Sequence, residues 1–505
     1  MTSLTASSSS NSLPSVNRRT ASASVLFACL AMLVCCLPFS AANGALGAIV
    51  QSTGADTAQL QWVTDAFAVV LGATVLSAGV LGDILGRRRI VLLGLALTTV
   101  GSGLALSAGF LAGGTLATLW VGQSVSGFGG GLVMSASLAL VAASAPSAAY
   151  RARVISLRAA AVVVGLGSGP FLAGCVTAAL PWQWMYLPIA AAAIAVFVFG
   201  ALFAAESSAG AGRSFDLPGP LTSALGIAAL TFGVISVGTA GWAAPPTIIG
   251  LVVGGSSLLA FVVVERRSSS PLLRPALFRS AGFTAAGIAA TSVLFTLGGG
   301  VFVLSLYLSS TSVDGLGIAV RLGCLFAGNA IASVACGLLQ QRIPPKILLA
   351  TGLLLAAAGA FSLLSIDDST DLSGFAWRLA ILGFGSGLVM ATSSSIAVQS
   401  VSAELGGMAG AANNAMRQFG AALGPAVLGG ILSLQLASGG SALTALHISA
   451  TVVCAVFLAS GVTAVLLLSR RTAHLRLHPS PTGTTESQGV RHDDQQPHHH
   501  QHTQP

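Results

Sequence analysis

Gly79-Val80-Leu81-Gly82-Asp83-Ile84-Leu85-Gly86-Arg87-Arg88-Arg89 gathers one acid and three bases into eleven residues. Long apolar runs flank it. Residues 57–82 hold a single charge, Asp65, and residues 90–150 hold none. A helix needs ~20 residues to cross the hydrocarbon core of a bilayer, so the stretch reads as a short polar link between two membrane spans. Gly79, Gly82 and Gly86 let the helix ends come close. Asp83 and Arg87 stand four apart, within pairing distance if the turn stays helical.

The same reading extends outward along the chain. Of 505 residues, 54% are hydrophobic and 7% charged, with mean hydropathy +0.86. A soluble domain carries about 25% charged residues, so a soluble enzyme and a disordered chain are both excluded. Splitting the charge-poor runs at Gly/Pro/Ser clusters gives fourteen spans, within 20–55, 57–82, 90–150 (two), 159–205 (two), 217–264 (two), 280–313, 315–341, 347–366, 372–403 and 405–469 (two). The expected fold is an all-α polytopic membrane protein. With the N-terminus in the cytoplasm, nineteen of the twenty-two basic residues fall on the inner side, as topology-setting charges do. Arg158 and Arg213 are among them. Arg321 and Arg378 lie near the outer ends, and the outer loops carry Asp56, Asp314, Asp367, Asp368 and Asp371.

Several chemistries drop out. The one lysine, Lys346, precedes Ile347, so no phosphate-binding G-x-x-x-x-G-K-[ST] loop exists. The seven cysteines lie in apolar runs and read as small buried hydrophobes rather than a metal or disulfide framework. The net charge of +8 belongs to topology, not to nucleic acid. His447 stands alone, because the other seven histidines, His498, His499, His500 and His502 among them, lie in the polar tail. A membrane-embedded transferase would need a cluster of such groups. No cofactor, metal or enzyme activity is expected. Ser40-Ala41-Ala42 could pass for a signal cleavage site, but an uncleaved first helix fits the spans that follow.

The chain also repeats. Gly127-Phe-Gly-Gly-Gly-Leu-Val-Met134 returns as Gly383-Phe-Gly-Ser-Gly-Leu-Val-Met390, and Gly165-x-x-x-Gly169-Pro170 as Gly420-x-x-x-Gly424-Pro425. The link from Gly79 to Arg88 has a degenerate echo from Gly337 to Lys346, with Gln341 in the place of the acid. The offsets, 256, 255 and 258 residues, map the fourth span onto the twelfth. The parsing is a cytoplasmic disordered N-terminus (1–23), a six-helix bundle (24–205), two inserted helices with linkers (206–279), a second six-helix bundle (280–468) and a cytoplasmic His-rich disordered tail (469–505). Internal repeats of this kind mark secondary transporters, with the substrate held near the midplane between the halves.

Motifs now add a family. The link from Gly79 to Arg89 resembles the cytoplasmic loop motif of the major facilitator superfamily, G-x-L-x-D-x-x-G-R-[RK]. Gly165-x-x-x-Gly169-Pro170-x-x-Ala173-Gly174 resembles its fifth-helix antiporter motif. Gln61-Trp62-Val63-Thr64-Asp65-Ala66-Phe67, Ser270-Pro271-Leu272-Leu273 before Leu277-Phe278, Ser305-Leu306-Tyr307-Leu308, and the run from Gly410 to Gly420 extend the likeness to the fourteen-helix drug:proton antiporter branch, over about residues 24–468. The resemblance implies two six-helix bundles with two inserted helices, and a cytoplasmic gate at Gly79, Asp83, Gly86, Arg87 and Arg88. It also implies a monomer that exchanges protons for a small molecule across the lipid bilayer. Two positions depart from it. Members of the branch carry an aspartate in helix 1 where this chain has Pro38, and an arginine in helix 4 where it has Gln123.

Those departures leave Asp65 as the one carboxylate read as lying well inside a helix. Burying it in hydrocarbon costs at least ~2.5 kcal/mol, so it is expected to face a cavity. Desolvation disfavours the charged form of a carboxyl group, which suits such an acid to proton coupling. The alternative is a helix-end acid facing outer water. Arg417 reads either as a cavity-lining cation or as a tie to backbone carbonyls. Asn43, Trp62, Gln123, Asn329, Asn413 and Asn414 are the other candidates for the cavity wall; Asn43, Gln123 and Asn329 are equally suited to interhelical hydrogen bonds, and Trp62 to interfacial anchoring. The expected function is proton-driven export of an amphipathic drug, antibiotic or toxic metabolite from a bacterial cytoplasmic membrane. The alternative is a non-drug metabolite exporter or a facilitator without proton coupling.

Overall fold

The computed structural model describes residues 18–110, 115–144, 148–207, 218–268, 271, 273–311, 313–402 and 405–477. The expectations for residues 1–17, Arg213, Ser270, Leu272 and the histidines of the tail beyond 477 lie outside them. The helices are α1 (Arg18–Thr53), α2 (Thr57–Leu85), α3 (Arg87–Ser107), α4 (Thr115–Ala143), α5 (Ala148–Thr177), α6 (Tyr186–Phe203), α7 (Pro218–Ala240), α8 (Pro245–Arg267), α9 (Ala281–Phe295), α10 (Val301–Ser310), α11 (Gly315–Leu339), α12 (Pro345–Ser362), α13 (Leu372–Gln399), α14 (Gly406–Ala437) and α15 (Ala442–Leu477). A π-helical turn, Thr296–Gly300, joins α9 and α10 into one span, Ala281–Ser310. Among the described residues thirteen helices are long and apolar enough to cross a membrane, and α2, bent by 55° between Thr57–Val75 and Ser77–Leu85, makes a fourteenth if it is one span. The protein is an all-α multi-pass membrane protein. The helices overrun two of the expected boundaries. α1 starts at Arg18, inside the stretch read as a disordered terminus, and α15 continues past 469 to Leu477.

Local chemistry sets the helix ends. Asp56 caps α2 through a capping box, accepting from the Gln59 N–H at 2.8 Å while the Gln59 side chain accepts from the Asp56 N–H at 3.0 Å. Asp314 caps α11 and Asp371 caps α13, each accepting a backbone N–H at 2.8 Å. Three of the acids placed in the outer loops are therefore N-caps, which satisfy amide groups that a helix leaves unpaired. This end of the molecule is called the aspartate face below, and the end bearing Arg87–Arg89 the arginine face.

The helices form two bundles. In the first, α1 packs on α4, α5 and α6, and α4 also packs on α2 and α3. In the second, α13 packs on α9, α11 and α12, and α9 also packs on α14 and α15. Across the seam, α2 meets α14 and α5 meets α11. The inserted pair docks through α7, which lies against both α2 and α14, while α8 leans chiefly on α7.

The glycine repeat is the packing code of both bundles. A methyl group on Gly127 would meet the backbone of Phe67, and one on Gly383 the backbone of Leu325. Gly129 lies against Gly94 and Thr98, and Gly385 against Gly352 and Ala356. Gly131 lies against Leu71 and Thr74, and Gly387 against Asn329 and Ala332. Each partner in the second half stands 258 residues after its counterpart in the first. Without side chains at these points the helix backbones come into contact, as in small-xxx-small packing.

Candidate functional site

A cavity of about 370 Å³ lies at the meeting of the bundles, walled by Phe39, Asn43 and Pro170 from the first half and by Leu297, Gly298 and Phe326 from the second. The lining is largely apolar with one amide, as small-molecule sites commonly are. Its walls come from irregular helix. Pro38 lies inside α1 one residue before Phe39, Pro170 lies inside α5, and the π turn supplies Leu297 and Gly298. π turns and helix prolines displace backbone from regular spacing. Asn43 donates to the Phe39 carbonyl at 3.0 Å, while its Oδ1 is buried and unpartnered. A second, apolar cavity of about 460 Å³, between residues such as Leu304, Leu379 and Val453, lies within the second bundle alone.

Asp65 is fully buried, and neither carboxylate oxygen has a hydrogen-bond partner. It sits on the stripe of α2 that faces α14. One turn before it, Gln61 donates to the Pro425 carbonyl at 3.0 Å. One and two turns after it, Ala68 and Val69 pack with Ala421 and Ala422, and Gly72 abuts Gln418. The acid thus lies on the seam between the bundles rather than facing water at a helix end.

Pro38 and Gln123, the two departures from the resembled pattern, touch each other. Gln123 Nε2 donates to the Pro38 carbonyl and to the Tyr186 hydroxyl oxygen, both at 3.1 Å. One neutral contact therefore occupies both positions. Trp62 packs on Phe232 of α7 with ring centroids 6.5 Å apart, and so helps dock the inserted pair. Of the residues expected on the cavity wall, Asn43 lines the central cavity, while Trp62, Gln123, Asn329, Asn413, Asn414 and Arg417 lie outside its lining.

Arg417 reaches Ser394 of α13 at 3.4 Å, and its Nε is buried without a partner. One turn earlier, both side-chain polar atoms of Asn413 are buried and unpartnered, as is Asn329 Nδ2 on α11. Asn414 donates to the Met134 sulfur of α4 at 3.0 Å, closing the seam toward the arginine face. Arg158 corrects the topological reading. It is not a loop charge but a buried residue of α5, donating to Ser137 Oγ at 2.9 Å and to the Met134 carbonyl.

On the arginine face, Arg87 pairs with Asp83 at 2.8 Å and donates to the Ala139 carbonyl of α4. Arg88 donates to the carbonyls of Gly200 and Ala201 in α6. Both arginines thus tie the link to the first bundle. Sequence reasoning missed their neighbour, Glu206, which accepts the Arg88 and Arg89 N–H groups at 3.0 and 3.2 Å and so holds a negative charge at the N-terminus of α3. Its signal was being a lone acid directly after the sixth span. Gly86 makes room for it. Its φ is +103°, and a methyl group there would stand 2.7 Å from the Glu206 carboxyl carbon. Glu206→Gln is expected to cost about 1 kcal/mol, and Gly86→Ala more, since it adds backbone strain to a collision. Thermal unfolding of the purified variants ranks the two.

The second motif binds helices together. A methyl group on Gly165 would meet Leu33, one on Gly169 would meet Ser40 and Ala41, and one on Gly174 would meet Gly315 of α11 across the seam. Sequence reasoning also passed over Glu265. It is buried in the last turn of α8 and accepts the Leu273 N–H at 2.8 Å.

The model of the Major Facilitator Superfamily matches residues 28–425. The chain is 31% identical over 405 residues to "Multidrug resistance protein Stp" of Mycobacterium tuberculosis (strain CDC 1551 / Oshkosh), covering 78% of this chain and 73% of that protein. It is 27% identical over 427 residues to "Methylenomycin A resistance protein" of Streptomyces coelicolor, covering 83% and 88%. It is 30% identical over 423 residues to "Cephamycin export protein CmcT" of Amycolatopsis lactamdurans, covering 81% and 84%. Among solved structures, a POT family transporter in complex with 5-aminolevulinic acid superposes with a TM-score of 0.64 at 14% identity, covering 88% of this chain and 96% of that one. That likeness concerns the fold alone.

Proposed function

The chain belongs to the Major Facilitator Superfamily, and from that premise we propose that it is a secondary active exporter of an amphipathic small molecule, working by proton antiport and alternating access. The observation that carries the proposal is Asp65, a buried carboxylate with no partner on the seam where two bundles must part. An unpaired acid at such depth costs free energy. It is retained where it carries protons or pairs with a cationic substrate. The central cavity supplies the substrate site, because walls from both halves let it open to one face as the bundles rock. Relatives named for multidrug resistance, methylenomycin A resistance and cephamycin export support a drug or antibiotic as cargo.

In this reading the arginine face is cytoplasmic, both termini lie inside a bacterial cell membrane, and the protein acts as a monomer. Asp83, Arg87 and Arg88 brace the cytoplasmic gate. Opening outward would break the Gln61–Pro425 contact, and opening inward the Asn414–Met134 contact. One observation favours the second reading, a facilitator without proton coupling: the neutral Gln123–Pro38 contact stands where the branch has charges. Cells expressing the protein separate the two. A panel of antibiotics with and without an uncoupler should give resistance that collapses with the gradient. Resistance that survives the uncoupler rejects antiport.

A further inference from the structure

We propose that Arg158 and Arg417, with Asn413, form an anion subsite that takes the carboxylate or other oxyanion group of the exported molecule. The proposal rests on the export reading and adds the charge of the cargo.

Three observations converge. The two arginines come from opposite bundles, α5 and α14, which Met134 of α4 bridges. Among the described residues neither arginine forms an ion pair with a carboxylate. The ion pairs among the described residues are Arg87–Asp83 and Arg89–Glu206, which lie at the end of the first bundle. Two like charges inside a membrane protein without a counter-charge are costly, and intramembrane cations mark substrate paths.

The second observation is unused hydrogen-bonding capacity. Arg417 makes one long bond, 3.4 Å to Ser394, and keeps its buried Nε free. Asn413, one turn away on the same helix and 1% exposed, leaves both its amide nitrogen and its oxygen unpartnered. Unsatisfied buried donors that converge beside a cation are what an oxyanion fills.

The third observation is connection across the seam. Met134 accepts from Arg158 through its carbonyl, and its sulfur accepts from Asn414 and Gln418, which flank Arg417. An anion held between the arginines would draw the two bundles together on the arginine face. A planar guanidinium grips a carboxylate with two parallel bonds, and lysine cannot reproduce that geometry.

The test is equilibrium binding to the full-length protein in phosphatidylcholine nanodiscs, whose lipid carries no net charge. The probes are 1-naphthylacetate and its neutral isostere 1-naphthylacetamide. The wild type should bind the acetate about tenfold more tightly than the amide. Arg417→Gln and Arg158→Gln should each erase the preference while amide binding persists, and Arg417→Lys should restore part of it. Equal affinity for the two probes in the wild type overturns the proposal, as does failure of the acetate to bind. A preference that survives Arg417→Gln overturns it too. Loss of both probes in Arg417→Gln with recovery of both in Arg417→Lys assigns the residue to packing, and again overturns it. Binding at equilibrium needs no gradient. A failed uncoupler test therefore leaves this result standing, and a lost preference leaves the uncoupler test standing.

Discussion

Asp65→Asn is expected to cut gradient-driven efflux at least about tenfold while leaving the protein folded. The carboxylate is fully buried and makes no hydrogen bond, so the substitution breaks no contact. It replaces a group that pays at least ~2.5 kcal/mol to be charged in the membrane with a neutral amide of nearly the same shape. Thermal stability should be unchanged or higher. What disappears is the proton site. Proteoliposomes with an imposed pH gradient should show substrate movement falling to the level seen with an uncoupler, and the uncoupler should then have no further effect. Exchange of substrate for substrate, which moves no net proton, should continue in the variant. Full gradient-driven transport by Asp65→Asn sinks the assignment. Asp65→Glu keeps the acid and should retain part of the coupled activity, which separates loss of the proton site from loss of shape.

The sequence carried the membrane architecture because lipid imposes a rule that composition must obey. Every span needs a long uncharged run, and the links collect the arginines. Asp83 and Arg87 were legible as a pair because four residues make one helical turn. Asp65 stood out because so few carboxylates compete with it. Arg158 was misread for the converse reason. It sits only a few residues past Arg151 and Arg153, and burial is set by what α4 and α1 offer it, namely Ser137, the Met134 carbonyl and the Met32 sulfur. Glu206 showed as a lone acid after the sixth span, but its role was hidden because it depends on the end of α6 lying beside the start of α3. The π turn at Thr296–Gly300 was likewise hidden. Its glycines looked like any others, and Gly298 and Gly299 prove to lie in close contact with Ala421, Gly424 and Pro425 of α14. Pro38 and Gln123 appeared as two losses, and the structure joins them into one hydrogen bond.

Gly127→Val and Gly383→Val are expected to destabilise the protein to the same degree, by about 1–3 kcal/mol each, the usual cost of overpacking. The equality is the informative part. The offset of 256 residues was read from glycines, yet the residues they touch share little chemistry: Phe67 against Leu325, Leu71 against Asn329 for the neighbouring pair. If the bundles are true repeats, the contact is made by backbone and the partner side chain is irrelevant. The Phe67 carbonyl and the Leu325 carbonyl stand in the way of an added side chain in the same manner. Gly103→Val in α3 and Gly337→Val in α11 supply the control. Both are helical glycines with nothing within 4 Å of an added methyl group, so they should shift stability by no more than about 0.5 kcal/mol. Because the two packed sites lie in different bundles with no shared partner, the double variant should lose the sum of the single losses. Thermal unfolding in detergent at one scan rate reads all five variants. A Gly383→Val protein as stable as Gly337→Val would mean that α13 can move away from α11 where α4 cannot move away from α2. The second bundle would then be the looser of the two, and rocking between them would not be the motion of two equivalent rigid bodies.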